Sequence, residues 1–230
     1  MPSALWTLVM SGLIVIGAKS SVSPYGTLGT LFDATRAHAT GYTLDGWEPL
    51  TGAEDHVSLA GLASHVAHQA HVRGEVGLTK GPGFQKAEVV QAKRGITTEM
   101  MVERLASGAT YVVLHRSSGY GFYGIGQGVL WAKKLLSQEG HSAHLCLTLE
   151  GYLPNLSSYQ ERKRMDEAFA AVHARAVTSR RLSAPTFVLQ SADVIGRPCH
   201  PLHLQLAMHR EPYDAVTKVL VGTPVVTVKY

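Results

Sequence analysis

Residues 110–149 read TYVVLHRSSGYGFYGIGQGVLWAKKLLSQEGHSAHLCLTL, and this stretch decides the fold class. The β-branched, apolar run Thr110–His115 predicts a buried strand, and the alternating run Ala143–Leu149 predicts another. Between them, Ile125–Ser137 has apolar residues at helical spacing, and Gly140 follows as a helix stop. A strand, a helix and a second strand in succession indicate an α/β protein.

The segments on either side continue this alternation. Lys86–Ala92 reads as a strand, Thr97–Ala106 as a helix with Gly108 as its stop, and Tyr159–Arg180 as the longest helix of the chain. We therefore predict a two-layer α/β sandwich, in which a mixed sheet carries helices on one face.

The domain organisation follows from a glycine-rich break in the pattern. Arg73–Gly83, RGEVGLTKGPG, reads as a linker. It predicts an N-terminal extension or small subdomain with loops over residues 1–82, in which Leu13–Ile16 reads as a buried strand. The α/β domain then covers residues 83–230 and contains a helical insertion at about 155–182. No internal repeat is visible in the sequence.

The composition excludes several classes of protein. Among 230 residues, 45% are hydrophobic and 17% charged, so the chain can bury a core and is not a disordered protein. The two cysteines, Cys146 and Cys199, cannot form a disulfide framework. No stretch reaches the roughly 18 consecutive apolar residues that span a bilayer, and we expect no membrane partner.

The amino terminus bears on localisation. Ala4–Ala18 is mostly apolar, but the first cation, Lys19, follows the run, whereas a signal peptide carries its positive charges before it. No acidic residue precedes Asp33, as in a mitochondrial presequence, yet no arginine precedes Arg36. We expect an intracellular protein, and leave the choice between mitochondrion and cytoplasm open.

The distribution of charge is more informative than the net charge of +4. Residues 1–72 carry two cations and five acidic residues, whereas residues 73–135 carry nine cations and four acidic residues. Residues 136–230 are mildly basic, with ten cations and eight acidic residues. The basic middle segment predicts a surface that faces phosphate groups.

Cations and aromatic rings interleave around the glycine-rich loop at 117–124. Lysine and arginine neutralise phosphates, and exposed rings stack on unpaired bases, so this combination is typical of a nucleic-acid-binding surface. A second basic cluster lies on the predicted long helix. The candidate nucleic-acid-binding residues are Lys93, Arg94, Arg116, Tyr120, Phe122, Tyr123, Lys133, Lys134, Arg162, Lys163 and Arg164.

Four segments within residues of about 86–150 share the spacing of a known family. They are Met101–Ala109, Tyr111–Leu114, Gly124–Leu135 and Leu145–Glu150. In that order they resemble the first helix with its Gly-Ala exit, the second strand, the second helix and the third strand of the Alba family of small basic nucleic-acid-binding proteins. Lys93 and Arg94 fall at the first strand–helix junction, where the family carries its nucleic-acid-binding lysines.

This resemblance implies a function without catalysis. The chain is expected to be an RNA-binding protein with no cofactor and no metal, a structural subunit of a ribonucleoprotein particle such as a ribosome. Its partners would be RNA and other protein subunits of the complex, with a homologous Alba-like partner as one candidate.

Two enzymatic alternatives remain open. The glycines of the loop Gly119–Gly128 include the G-x-G-x-x-G spacing, and Glu150 at the end of the next strand could hold a ribose, as in a nucleotide-cofactor enzyme. His65, His68 and His71 recur every three residues and could bind metal in a metal-dependent hydrolase. Successive steps of three drift around a helix, however, which opposes convergence on one ion.

Overall fold

The computed structural model describes residues 24–50, 57–136, 144–181, 187–194, 202–211 and 215–224. Within these ranges lie four helices: α1 (Pro24–Ala34), α2 (Leu59–Gln69), α3 (Ile125–Leu136) and α4 (Ser158–Ala171). The same ranges hold ten strands: β1 (His38–Pro49), β2 (Val76–Gly81), β3 (Phe84–Lys93), β4 (Ile96–Leu105), β5 (Thr110–Ser118), β6 (His144–Pro154), β7 (Ala174–Arg181), β8 (Phe187–Val194), β9 (His203–Glu211) and β10 (Val216–Thr223). None of the described helices is long and apolar enough to cross a membrane.

The ten strands form one sheet in the order β2-β3-β4-β5-β1-β6-β10-β9-β8-β7. The pairings β2–β3, β3–β4, β7–β8, β8–β9, β9–β10 and β10–β6 are antiparallel. The α/β class is therefore confirmed, but the sheet is a large antiparallel one rather than the predicted mixed sheet. Two-residue turns join β2 to β3 and β3 to β4, and such hairpins join antiparallel strands.

The order of elements repeats along the chain. The series helix, strand, helix and four strands occurs first from α1 to β5 and again from α3 to β10. The sheet order is the same from both ends, because β5 lies beside β1 and β10 lies beside β6. No such repeat was predicted from the sequence, because the two halves share few residue identities.

Two compact units can be distinguished by their internal contacts. Among the described residues, the first unit comprises 45–50, 57–116, 129–136 and 144–145. Helix α2 packs there on β3 and β4, and its N-cap Ser58 accepts the backbone N–H of Gly61 at 3.1 Å. The buried cluster that joins the helix to the strands is Leu59, Ala63, Ala87 and Val102.

The second unit comprises residues 24–44, 117–128 and the described part of 146–224. Helix α1 packs there against α4 and β10, with Leu28 and Leu31 fully buried. Helix α4 begins with a capping box, in which the Ser157 and Gln160 side chains each accept a backbone N–H of the other residue.

Several predicted elements are confirmed. The strands predicted at 86–92, 110–115 and 143–149 correspond to β3, β5 and the described part of β6, and the helix predicted at 125–137 corresponds to α3. The strand predicted for Leu13–Ile16 lies outside the described residues.

The helix predicted at 97–106 is wrong, because these residues belong to strand β4. Arg94 and Gly95 have φ angles of 51° and 71° and form the two-residue turn between β3 and β4. Two consecutive residues with positive φ are typical of the tight turn of a β-hairpin. The segment that resembles the first Alba helix is therefore a strand.

The long helix predicted at 159–180 ends at Ala171. His173 has a φ of 53°, which a helix cannot continue, and β7 follows in the region predicted as a helical insertion. The segment predicted as a linker contains β2, which pairs with β3, so the predicted boundary at residue 82 falls in the turn of this hairpin. The predicted N-terminal extension contains α1, β1, α2 and β2.

Candidate functional site

A cavity of about 390 Å³ opens at the carboxyl end of α2 in the first unit. We call it the α2 cavity. The residues that line it are His68, His71, Val72, Arg73, Gln91 and Lys93. None of these lining residues is acidic, two are permanently or normally cationic, and two are histidines. Only Val72 among them is apolar.

The end of α2 places the first four of these residues. Helix α2 ends at Gln69, and the backbone N–H of its C-cap residue Ala70 donates to the Val66 oxygen at 2.9 Å. His71 then takes a φ of 55°, which turns the chain back so that the buried Val72 can donate its N–H to the Ala67 oxygen at 2.8 Å. The exposed side chain of Arg73 follows directly after this corner.

Trp131 of α3 stabilises the same corner through a side-chain hydrogen bond. Its indole Nε1–H donates to the backbone oxygen of Ala70 at 3.2 Å. The guanidinium of Arg116 lies over the Trp131 ring, 5.4 Å from its centroid. The corner that carries His71 and Arg73 is thus held by a side-chain hydrogen bond as well as by its own backbone.

Strand β3 supplies the other two lining residues. Gln91 and Lys93 alternate with the outward positions of the strand, in phase with Ala87 and Val89, which are buried. Because side chains two residues apart point to the same face of a sheet, Gln91 and Lys93 point to the face that α2 covers. The β3–β4 turn follows at once, and it places the exposed Arg94 beside the cavity without lining it.

The remaining predicted cations of the first unit are not part of the α2 cavity. Besides stacking on Trp131, Arg116 donates from Nη1 to the Thr98 hydroxyl at 3.4 Å, so its charge is engaged within the protein. Lys133 is half-buried and has a partner, whereas Lys134 is exposed on α3. Of the predicted cations in this unit, only Lys93 lines the cavity.

The predicted aromatic loop lies in the second unit and divides into anchored and exposed rings. Phe122 packs edge-on against the buried Phe32, with ring centroids 4.8 Å apart. The Gly121 N–H donates to the Thr40 oxygen at 3.0 Å, which fixes the loop further. Tyr120 and Tyr123 are 72% and 81% exposed, so the loop presents two rings to solvent.

The predicted basic cluster on α4 combines exposed side chains, which make contacts within the helix, with the half-buried Arg164. Arg162 Nε donates to the Ser158 oxygen at 3.3 Å, and Lys163 lies 3.9 Å from the Glu167 carboxylate one turn later. Arg164 is half-buried, and its Nη1 atom is buried. Exposed pairs of this kind contribute little to stability, and the Lys163 side chain remains largely exposed to solvent.

The nucleotide-cofactor alternative gains little from the geometry. In a dinucleotide site the strands before and after the glycine loop and its helix lie side by side, whereas β1 separates β5 from β6 in this sheet. Glu150 lies within β6 rather than at its end, and its Oε1 accepts the Thr43 hydroxyl at 2.9 Å. This carboxylate therefore already serves a contact within the sheet.

The three histidines of the metal-dependent alternative lie in two different environments. Within the described part of the chain, no group of three or more His, Cys, Asp or Glu side chains is placed to hold a metal ion. His65 lies 3.0 Å from the Gln69 amide, whereas His68 and His71 both line the α2 cavity. The latter two therefore share a site with Arg73 and Lys93 rather than with further ligands.

A buried histidine–aspartate contact was not predicted from the sequence. His115 Nδ1 and Asp45 Oδ1 lie 2.6 Å apart in the first unit, and both side chains are buried. The two residues are 70 positions apart, so only the pairing of strands brings them together. Neither lines the α2 cavity, and we assign the pair a structural role.

Four residues of the α2 cavity were likewise absent from the predicted nucleic-acid-binding set: His68, His71, Arg73 and Gln91. The available signals were the histidine spacing and the position of Arg73 at the start of the basic middle segment. Neither signal reveals that Lys93 lies across from them, because that depends on the β3–β4 hairpin.

No protein-family model matches the chain, and no curated protein matches it. A similar solved structure is the di-domain ARO/CYC StfQ from the steffimycin biosynthetic pathway. It is 10% identical, with 89% of this chain and 80% of that chain covered and a TM-score of 0.20. A likeness at this TM-score carries no argument about fold or function.

Proposed function

We propose that the chain binds RNA and that the α2 cavity is its phosphate-binding site. The observation that carries this proposal is the convergence of Arg73, Lys93 and two imidazoles on one cavity with no acidic residue in its lining. Cationic side chains bind RNA because they neutralise phosphates and release condensed counterions. The Alba resemblance predicted nucleic-acid binding at Lys93 and Arg94, of which Lys93 lines the cavity.

The local electrostatics favour an anion despite the helix end. The carboxyl end of a helix carries about half a negative charge, which opposes anion binding. The N–H groups of Ala70, His71 and Val72 satisfy carbonyls of this last turn. Two full positive charges on Arg73 and Lys93 outweigh the remaining partial charge of the helix end.

Tyr120 and Tyr123 support the same function in the second unit. Stacking of an exposed ring on an unpaired base stabilises a complex by roughly 1–3 kcal/mol. The Phe122–Phe32 contact holds the loop, so its rings lose little conformational freedom when a base stacks on them. We assign these two tyrosines as a base-stacking surface, with Phe122 as the anchor.

The wider role is a proposal of the same kind. We propose a structural subunit of a ribonucleoprotein particle, such as a ribosome, with other protein subunits as partners. The Alba-like two-layer sandwich stays a prediction: Tyr111–Leu114, Gly124–Leu135 and Leu145–Glu150 coincide with β5, α3 and β6, whereas the first helix of that pattern is replaced by β4. RNA binding by the α2 cavity does not depend on this resemblance.

Charge reversal in the cavity tests the proposal. We expect Arg73→Glu and Lys93→Glu each to weaken binding of a single-stranded RNA by about tenfold or more at low salt, measured by fluorescence anisotropy. Each should also reduce the slope of log affinity against log salt by about 1, because one phosphate contact is lost.

Lys80→Glu is the matched control. Lys80 is exposed on β2 and pairs with Gln85, eight residues along β3 from Lys93. That places it about 26 Å from the cavity at the usual rise of a strand. If all three variants lose affinity equally, with the fold intact by circular dichroism, binding is a general effect of net charge and the α2 cavity is not the site.

A further inference from the structure

The α2 cavity has more hydrogen-bond donors than an internal phosphate of RNA can use. An internal phosphodiester carries one negative charge, whereas a terminal phosphomonoester carries about 1.5 to 2 negative charges at pH 7 and three acceptor oxygens. Arg73 offers five N–H donors, Lys93 three and the Gln91 amide two. These donors therefore match the dianionic terminal phosphate of an RNA, which has three acceptor oxygens, better than an internal phosphodiester.

The shape of the site leads to the same ligand. A strand of RNA that runs across a protein needs only a charged surface, whereas a volume of about 390 Å³ lies within the range of pockets that enclose small ligands. The lining comes from two separate segments, the end of α2 and the end of β3. Donors on both sides of a concave site can surround one phosphate, which a flat surface cannot do.

The corresponding corner of the second repeat shows which residues are specific to the site. At the end of α4, Val172, His173, Ala174 and Arg175 occupy the positions that Ala70, His71, Val72 and Arg73 occupy at the end of α2. His71 and His173 also have nearly the same φ, 55° and 53°. The histidine–x–arginine corner is therefore common to both repeats and belongs to the fold.

The second repeat has different residues at the positions of the other polar lining residues of the α2 cavity. The hairpin registers place Ala192 and Val194 of β8 where the first repeat has Gln91 and Lys93 of β3. Counting back from the histidine, Ala170 of α4 stands where α2 has His68. The first repeat thus adds an amide, an ammonium and an imidazole to a corner that both repeats have.

We propose that the α2 cavity binds the terminal phosphate of RNA, and that His68, Gln91 and Lys93 give the site this specificity. The proposal rests on the proposed function, in that RNA supplies the phosphate. Arg73 contributes positive charge, and His71 forms the corner that positions it. The three added side chains complete the donor set around a phosphomonoester.

The test compares single-stranded RNAs of one sequence with a 5′-phosphate, a 3′-phosphate or hydroxyl groups at both ends. For the unmodified protein we expect one phosphorylated form to bind about tenfold more tightly than the hydroxyl form, a difference equivalent to about 1.4 kcal/mol. In Gln91→Leu and Lys93→Gln, which remove donors without reversing charge, this preference should fall below about twofold. Lys80→Gln is the control and should keep it.

The outcomes separate this proposal from RNA binding itself. Equal affinity of the unmodified protein for all three RNAs would overturn the terminal-phosphate site and leave RNA binding intact. Binding of adenosine 5′-monophosphate that Lys93→Gln abolishes, together with no binding of any RNA, would overturn the proposed function and retain a phosphate site. If neither the RNAs nor the nucleotide binds, both proposals are wrong.

A gain-of-function variant adds an independent check. Ala192→Gln combined with Val194→Lys places the two strand donors beside His173 and Arg175 in the second repeat. We expect the number of adenosine 5′-monophosphate molecules bound per chain to rise from one to two, measured by isothermal titration. An unchanged number in a correctly folded variant would show that these donors do not define the site.

Discussion

Glu103 shows how a single residue on this sheet responds to its surroundings. It lies half-buried on β4, and partial burial raises the pKa of its carboxyl above the ordinary value of 4.5, although the nearby Lys86 lowers it in part. Lys86 interacts with two carboxylates, because its ammonium also lies 2.6 Å from Glu88. Glu103 is therefore easier to protonate in the folded chain than in the unfolded one.

This pKa shift predicts a pH-dependent effect of Glu103→Gln. A raised pKa in the folded state means that the acid stabilises the fold when protonated, and that this contribution is lost as the pH rises through the raised value. We expect Glu103→Gln to raise the melting temperature at about pH 7 by no more than about 2 °C, because the residue is half-exposed. The gain should vanish below the ordinary carboxyl pKa of 4.5.

Glu88→Gln serves as the control for this experiment. It removes the 2.6 Å ion pair with Lys86, so it should give no gain at about pH 7. A Glu103→Gln variant whose melting temperature is lower than that of the unmodified protein at neutral pH would contradict the electrostatic argument.

Residue by residue, the site could be predicted only where the signal was local. Lys93 was predicted from its position at the end of a strand, and the structure places it in the cavity. Tyr120 and Tyr123 were predicted as exposed rings, and both are exposed. Arg116 was predicted as a phosphate ligand, but it stacks on Trp131, a contact between residues 15 positions apart that no local pattern indicates.

At the scale of elements, turns decided which predictions succeeded. Strand β5 and helix α3 were predictable because each is a long, periodic segment between clear breaks. Strand β4 was not, because ITTEMMVERL also fits a helix and only the positive φ angles at Arg94 and Gly95 close the hairpin. The early end of α4 depends in the same way on the positive φ of His173.

Strand β1 requires glycine at position 41, because a larger residue would not fit there. A Cβ atom at this position would meet the backbone oxygen of Ser118 in β5, which cannot move without distorting the strand. We expect Gly41→Ala to destabilise the protein by about 1–3 kcal/mol, measured by urea unfolding.

Gly29 of α1 is the matched control. A Cβ atom there would meet nothing within 4 Å, and alanine favours a helix over glycine by about 0.5–1 kcal/mol. Gly29→Ala should therefore leave stability unchanged or raise it. Equal destabilisation by the two substitutions would mean that the close approach of β1 to β5 is not what requires glycine at position 41.

For the whole molecule, the repeated order of elements explains why the predicted organisation differed from the observed one. The sequence indicated an extension followed by one α/β domain, whereas the same seven-element series occurs twice. Comparable positions hold different residues, such as Leu59 in α2 and Glu161 in α4, both buried. Glu161 is accommodated because the Arg210 guanidinium lies 3.2 Å away, so burial is retained while residue identity is not.

The repeat also bears on where the proposed phosphate site lies. Both repeats have the histidine–x–arginine corner, but among the described residues only the first corner combines it with Gln91 and Lys93. We therefore propose one phosphate site in the first unit and assign base stacking to the exposed tyrosines of the second unit.

Mapping of the RNA contact by nuclear magnetic resonance tests this central claim most directly. Backbone amide shifts are recorded while a 5′-phosphorylated single-stranded RNA is titrated into the isotope-labelled protein. We predict that the largest changes occur at residues 68–73 and 91–95, which form the α2 cavity and the adjoining turn. Changes confined to residues 119–124 or 158–164, with none at the cavity, would contradict the account.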